Sequence, residues 1–292
     1  MTLVPVTLES ANAHNSCHFL FPTRRGDYLI QVSWPLCWND RAPVNDDTIV
    51  STVYIVDGNA YFFTATDIAR RLEFTHQTRA VIVAVGYPNK TCVFDKRRNG
   101  DLTPASSDGA YDIPLDQMGN HRLVLLAAHR IFWISSRMIS NRPKALFGHS
   151  YGGLFTLNAL FTKPESFDTF IAASPSIWFN NCSIVRDQEQ RFNERDPLTG
   201  RAPRLLVMFG GAEQTLIQLP GESDEKFEKK QKGATLRKMR DNALALVARM
   251  EESPHLRNVW CWEFEGEDHG CAAPCALQRG LLRFLIDQRA GQ

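Results

Sequence analysis

Leu146-Phe147-Gly148-His149-Ser150-Tyr151-Gly152-Gly153 decides how this chain is read. A serine sits inside Gly-x-Ser-x-Gly, directly after a short apolar run and directly before a segment of helical character. A strand that turns into a helix this abruptly brings two backbones close together. Glycine is the residue that tolerates such an approach. A serine held at the tip of the turn presents its hydroxyl above a helix N-terminus, which is the arrangement of a nucleophile elbow. The five-residue pattern has only three fixed positions and recurs by chance, so its meaning depends on the flanking elements and on partners elsewhere.

Outward from the turn, apolar runs alternate with helix-period segments. Residues 144–147 lead into the serine and 152–161 continue from it as a helix. Upstream, 27–33 alternates at period two and reads as a half-exposed strand. Residues 52–56 and 80–85 are continuous apolar runs ending at Asp57-Gly58 and Gly86-Tyr87-Pro88. Downstream, 170–173 ends at Ser174-Pro175 and 205–209 at Gly210-Gly211, and 259–264 is the last strand. Continuous apolar strands imply burial on both faces, hence a parallel sheet between helices. Helices are expected over 60–74, 121–138, 226–250 and 277–288 as well. The pattern predicts one α/β domain over 1–292, with a mainly parallel central sheet flanked by helices and antiparallel N-terminal strands. Two stretches, 87–119 and 179–203, lack a period and read as loops shaping a cleft at the strands' C-terminal ends.

Composition narrows the function classes. The chain has 292 residues, 43% hydrophobic and 22% charged, with a net charge of +1. That balance gives no pull toward nucleic acid or a membrane surface. Met1-Thr2-Leu3-Val4-Pro5 lacks the basic and apolar regions of an export signal, and no run has transmembrane length. The seven scattered cysteines then read as reduced thiols of a cytoplasmic protein. Cys271 and Cys275 are four apart, but no second pair completes a metal site. No metal and no cofactor are expected.

A serine hydroxyl needs a base to take its proton, and the base needs an acid to hold its tautomer. After an elbow of this type the partners follow in the order acid, then histidine. Downstream of Ser150 there are only His255 and His269. His255 precedes the last strand, at the wrong end of the sheet. His269 follows that strand, at the serine's edge, and is the expected base. Glu213, just after the 205–209 strand, is the expected acid. Glu222, Asp224 and Glu225 lie further out in a charged helix start, and Asp268 reads as shaping the histidine loop. A Ser–His dyad stays open. The oxyanion donors are expected to be the Tyr151 N–H and an N–H from Gly58, Asn59 or Ala60. His149, beside the serine, reads as packed beneath the turn.

These residues resemble the esterase branch of the α/β hydrolases that includes siderophore esterases and esterase D-like enzymes. The resemblance is carried by Val53-Tyr54-Ile55-Val56-Asp57-Gly58-Asn59, Val83-Ala84-Val85-Gly86-Tyr87-Pro88, Arg98-Asn99-Gly100-Asp101-Leu102-Thr103-Pro104, the elbow, Ala173-Ser174-Pro175-Ser176-Ile177-Trp178 and Asp268-His269-Gly270, in family order. Within the branch the chain looks most like the fungal enzymes that open triacetylfusarinine-type siderophores. The resemblance implies hydrolysis of a cyclic hydroxamate ferric siderophore, with iron as part of the substrate. It places Arg98 and Trp178 at the substrate. Arg98 is equally readable as a solvated member of Lys96-Arg97-Arg98, and an arginine there can also stabilise the loop by pairing with Asp101 or Asp57. A general carboxylesterase or thioesterase, such as an S-formylglutathione hydrolase, is the alternative. A siderophore-binding protein on a hydrolase scaffold is the non-enzymatic one.

Overall fold

A computed structural model describes residues 13–23, 26–38, 50–89, 91–104 and 142–289. Its centre is an eight-stranded sheet in the order β1-β2-β4-β3-β5-β6-β7-β8. The strands are β1 (Ser16–Phe21), β2 (Tyr28–Ser33), β3 (Ser51–Val56), β4 (Ala80–Gly86), β5 (Lys144–His149), β6 (Thr169–Ala173), β7 (Arg204–Gly210) and β8 (Asn258–Phe264). β1 and β2 pair antiparallel, and β2 joins β4 antiparallel. From β4 to β8 every pairing is parallel. This is the α/β-hydrolase arrangement, as the alternating pattern led one to expect.

The inner strands have two buried faces because the side chains alternate between two cores. On one face Tyr54, Val56, Leu146, Phe170, Leu205 and Val207 pack with Leu154, Leu157 and Phe161 of the helix Tyr151–Thr162 and with Leu246 and Met250 of the helix Met239–Glu251. On the other, Val53, Ile55, Ala145, Phe147, Ile171 and Met208 pack with Phe62, Ala65 and Ile68 of the helix Gly58–His76 and with Leu277, Leu281 and Phe284 of the helix Ala272–Arg289. Two apolar faces per strand explain why 52–56, 80–85 and 205–209 read as unbroken hydrophobic runs.

Three elements differ from the sequence expectation. β1 is unannounced because it is an edge strand whose His18, Phe19 and Leu20 are exposed, so it carries no alternation. The single helix expected over 226–250 is two helices, Asp224–Arg237 and Met239–Glu251, divided where Lys238 adopts a left-handed backbone (φ 47°, ψ 45°). The 179–203 stretch is helical over much of its length, with a π-helical segment at Ile184–Glu189. It buries Phe179, Ile184 and Phe192. A π turn adds a residue per turn, so those apolar positions fall out of the 3.6 period by which a helix is recognised. The expected helix over 121–138 and residues 105–119 of the first loop lie outside the described residues. Among the described residues no helix is long and apolar enough to cross a membrane.

Candidate active site

The parallel strands β3, β5, β6, β7 and β8 all end at one edge, and the functional side chains stand in the loops there. β5 ends at His149 and the helix begins at Tyr151, leaving Ser150 alone as the turn. Ser150 sits at φ 61°, ψ −117°, a region that is costly for a residue with a Cβ. Three hydrogen bonds hold it there. Its N–H donates to Ala173 O (3.0 Å), and its carbonyl accepts from Leu154 N–H (2.9 Å) and Ser176 N–H (3.2 Å). A Cβ on Gly148 would lie 2.1 Å from Gly152 O, which is why glycine precedes the serine by two positions.

Glu213 and His269, the acid and base expected from the sequence, lie in contact. Glu213 is 4% exposed, and its Oε2 lies 2.7 Å from His269 Nδ1. Its Oε1 accepts from Ser174 Oγ at 2.5 Å and from Gly210 N–H at 2.6 Å. With both oxygens held, the carboxylate has one orientation. A carboxylate acceptor at that distance fixes the proton on His269 Nδ1, so Nε2 keeps its lone pair. Close backbone approach makes this contact possible. The Gly211 and Ala212 N–H groups donate to Phe264 O and Glu267 O, and a Cβ on Gly210 would fall 2.2 Å from Glu267 O. Asp268 caps its own loop, its Oδ1 accepting from Gly270 and Cys271 N–H. Those bonds, the Cys271 one foremost, hold its carboxyl below the usual range. His255 is buried beside Asn193, with Nε2 3.4 Å from Asn193 O and away from this loop.

The expected direct bond between Ser150 and His269 is not formed. Ser150 Oγ has Ser176 Oγ as its partner at 3.4 Å. What ties the serine turn to the histidine loop is His149. Its Nε2 lies 2.8 Å from His269 O, its Nδ1 2.9 Å from Tyr61 OH, and its ring centroid 4.5 Å from that of His269. A carbonyl only accepts, so His149 carries its proton on Nε2. Nδ1 then accepts from the Tyr61 hydroxyl. Burial foremost, and the neighbouring His269, push the His149 pKa down to about 3, so the ring stays neutral. Burial raises Tyr61 as well, with Asp57 adding to it. Sequence reasoning found the packing of His149 but not its two hydrogen bonds. Tyr61, Ser174 and Ser176 carried no signal beyond the Ser174-Pro175-Ser176 motif.

The expected oxyanion donors lie at two helix starts. Tyr151 is the first residue of one helix, and Gly58 and Asn59 are the first two of another. The opening N–H groups of a helix have no acceptor within it and attract negative charge. A Cβ on Gly152 would lie 2.8 Å from Val56 Cγ2 and 3.4 Å from Asp57 Oδ2, so the two starts adjoin. The Asn59 side chain is locked on Tyr87, accepting from its N–H (2.7 Å) and donating to its carbonyl (2.8 Å). Ala60 N–H donates to Asp57 O, which removes Ala60 from the donor candidates.

Arg98 is neither solvated nor paired with Asp101. Its Nε and Nη2 donate to the two oxygens of Asp57 at 2.8 and 2.9 Å, and the pair is 11% and 1% exposed. Burial works against its charge, but Asp57 outweighs that and holds the pKa above the usual value. The guanidinium lies 5.4 Å from the Tyr151 ring centroid and 5.1 Å from that of Phe94. Trp178 is half-buried, its ring 6.2 Å from Tyr151 and 5.3 Å below the Arg237 guanidinium. An aromatic and cationic wall thus stands beside the elbow.

A mostly parallel sheet with an elbow after β5, a carboxylate after β7 and a histidine after β8 is the arrangement of an α/β hydrolase. The chain belongs to the putative esterase family, whose match covers residues 38–248. It is 39% identical over 282 residues to a siderophore triacetylfusarinine C esterase of Aspergillus fumigatus, covering 94% of each chain. It is 38% identical over 278 residues to a siderophore enterobactin esterase of Emericella nidulans, covering 91% of each. The siderophore hydrolase EstA from Aspergillus nidulans superposes with a TM-score of 0.87 at 37% identity, covering 97% of this chain and 98% of that one.

Proposed function

We propose that the protein is a serine esterase that hydrolyses the ester bonds of a cyclic, fusarinine-type hydroxamate ferric siderophore inside the cell, releasing iron by dismantling the chelate. The observation that carries this reading is the Glu213–His269 contact of 2.7 Å beside a serine held on a strained elbow. Ser150 Oγ leaves Ser176 for His269 Nε2, a catalytic bond of the kind that commonly tightens only as substrate binds. It attacks the ester carbonyl while His269 takes its proton and Glu213 holds Nδ1–H. The N–H groups of Tyr151 and of Gly58 or Asn59 receive the developing oxyanion. His269 returns the proton to the departing alcohol. Water then cleaves the acyl-serine by the same steps, so each bond cut consumes one water.

Substrate class is supported by two relatives of 38–39% identity named for siderophore esters. Trp178 and Tyr151 offer flat apolar surface beside the serine, and we assign Arg98 to hold the Asp57–Gly58–Asn59 turn while facing the cleft. One domain serves the whole reaction in this reading. Seven unbridged cysteines suit a reducing compartment.

The test is mass spectrometry of products from a ferric triacetylfusarinine-type ligand. Wild type yields linear fragments, each bond cut adding one water. Ser150→Ala lowers turnover by about five to six orders of magnitude. Retention of a few per cent of wild-type hydrolysis by that variant would sink the mechanism. Faster turnover of S-formylglutathione or small acyl esters than of the ferric ligand would sink the substrate assignment and leave the mechanism standing.

A further inference from the structure

The opposite edge of the sheet, where β5 to β8 begin, carries a second concentration of charge. Strands of seven residues put it on the order of 20 Å from Ser150. Lys144 opens β5 and Arg204 opens β7. Arg257 precedes Asn258, the register partner of Arg204, and its N–H donates to Pro203 O at 2.9 Å. Arg283 of the last helix completes the group, its guanidinium 4.4 Å from the Trp260 ring centroid, with that of Arg204 5.7 Å from the same ring. One carboxylate is ion-paired with these cations, and a second is bound to the main chain beside them. Asp287 Oδ2 lies 3.1 Å from Arg283 Nε and 3.4 Å from Arg204 Nη1. Asp168 Oδ2 accepts from the main-chain N–H of Lys144 at 2.8 Å.

The guanidiniums remain undersatisfied. Arg204 is only 9% exposed. Arg204 Nη1 has only its ion pair with Asp287, and Arg204 Nε and the Nε and Nη1 of Arg257 are shut off from solvent and hydrogen-bond to nothing among the described residues. Thr169 Oγ1, on the register partner of Arg204, is in the same condition. Burial foremost lowers both arginines, Arg257 to about 10, and neighbouring arginines add to it, Arg204 and Arg201 acting on Arg257. Packed like charges with unpaired donors are costly unless an anion completes them. Arginine forks match the oxygens of a phosphate.

We propose that this edge is a binding site for a phosphate-class oxyanion, held by Arg204 and Arg257 with Arg201 and Arg283 around it. The site is independent of the esterase reading. Thermal melting in inorganic phosphate is compared with chloride at equal ionic strength. The expected result is a saturable rise in Tm of about 5 °C when phosphate exceeds its Kd about a hundredfold. In Arg257→Gln the rise disappears while ester hydrolysis persists. Glucose 6-phosphate in a parallel arm separates the sources. An equal rise with it means the site admits a phosphate ester, and a rise with inorganic phosphate alone means it takes the free ion. Equal melting in phosphate and chloride overturns the proposal, as does an undiminished phosphate effect in Arg257→Gln. Should that variant not fold, phosphorus-31 line broadening of phosphate by wild type decides. Broadening reversed by sulfate supports the site, and no broadening refutes it.

Discussion

Ser150, Glu213 and His269 are separated by 63 and 56 positions, yet each was identifiable from its place after a strand. Glu213 has two duties at once: one oxygen orients His269, the other is anchored by Ser174 and Gly210. Glu213→Gln keeps the shape but offers His269 an amide that can flip and favour the wrong tautomer. We expect kcat to fall about 10⁴-fold with KM little changed, measured by steady-state ester hydrolysis. His149 acts through His269 by holding its main-chain carbonyl. His149→Ala should lower kcat by about 10²-fold, the scale of a misplaced catalytic group. His149→Gln can still donate to that carbonyl and should recover part of the loss. Equal damage from both variants would mean that His149 contributes only packing.

At the scale of elements, two glycines set how closely backbones pass. Gly148 admits the carbonyl of Gly152, and Gly210 admits that of Glu267. Gly148→Ala forces the elbow open in the middle of the sheet and should cost at least about 3 kcal/mol of stability, read by urea unfolding. Gly210→Ala displaces the loop that carries His269. Activity should therefore suffer more than stability, and a variant that loses stability but keeps full turnover would contradict this. The same scale shows why some elements were legible and others not. β3, β4 and β7 are covered on both sides, so their apolar runs are unbroken. β1 lies at an edge with no buried face of its own, and the π-helical Ile184–Glu189 segment breaks the helical period.

Across the whole molecule, one sheet separates two charged edges, and His149 joins elements from distant parts of the chain. It bridges the elbow, the helix Gly58–His76 through Tyr61 and the loop after β8. Its neutrality makes stability depend on pH. The folded pKa is about 3, below the ordinary histidine value near 6.5. Between those values the unfolded chain binds a proton that the folded one does not, so stability rises with pH across that window. Acidification from pH 6.5 should therefore remove up to about 1.4 kcal/mol per pH unit through this group. Urea unfolding at pH 6.5 and 4.5 should show a smaller acid loss in His149→Gln than in wild type. Identical losses would show that His149 accepts its proton in the folded state.

The sequence by itself determined the α/β architecture, the elbow and the candidates for nucleophile, acid and base. Those features are local: apolar runs, glycines at fixed offsets, and polar residues just past strand ends. Only the tertiary structure decided how the candidates are held. The 2.7 Å contact between Glu213 and His269 joins loops after different strands. The assignment of Arg98 to Asp57, the tether through His149 and the guanidinium cluster around Arg204 and Arg257 likewise arise from residues dozens to hundreds of positions apart. Hydrogen-bond geometry and burial between such residues exist only once the sheet is assembled, and no periodicity in the chain encodes them.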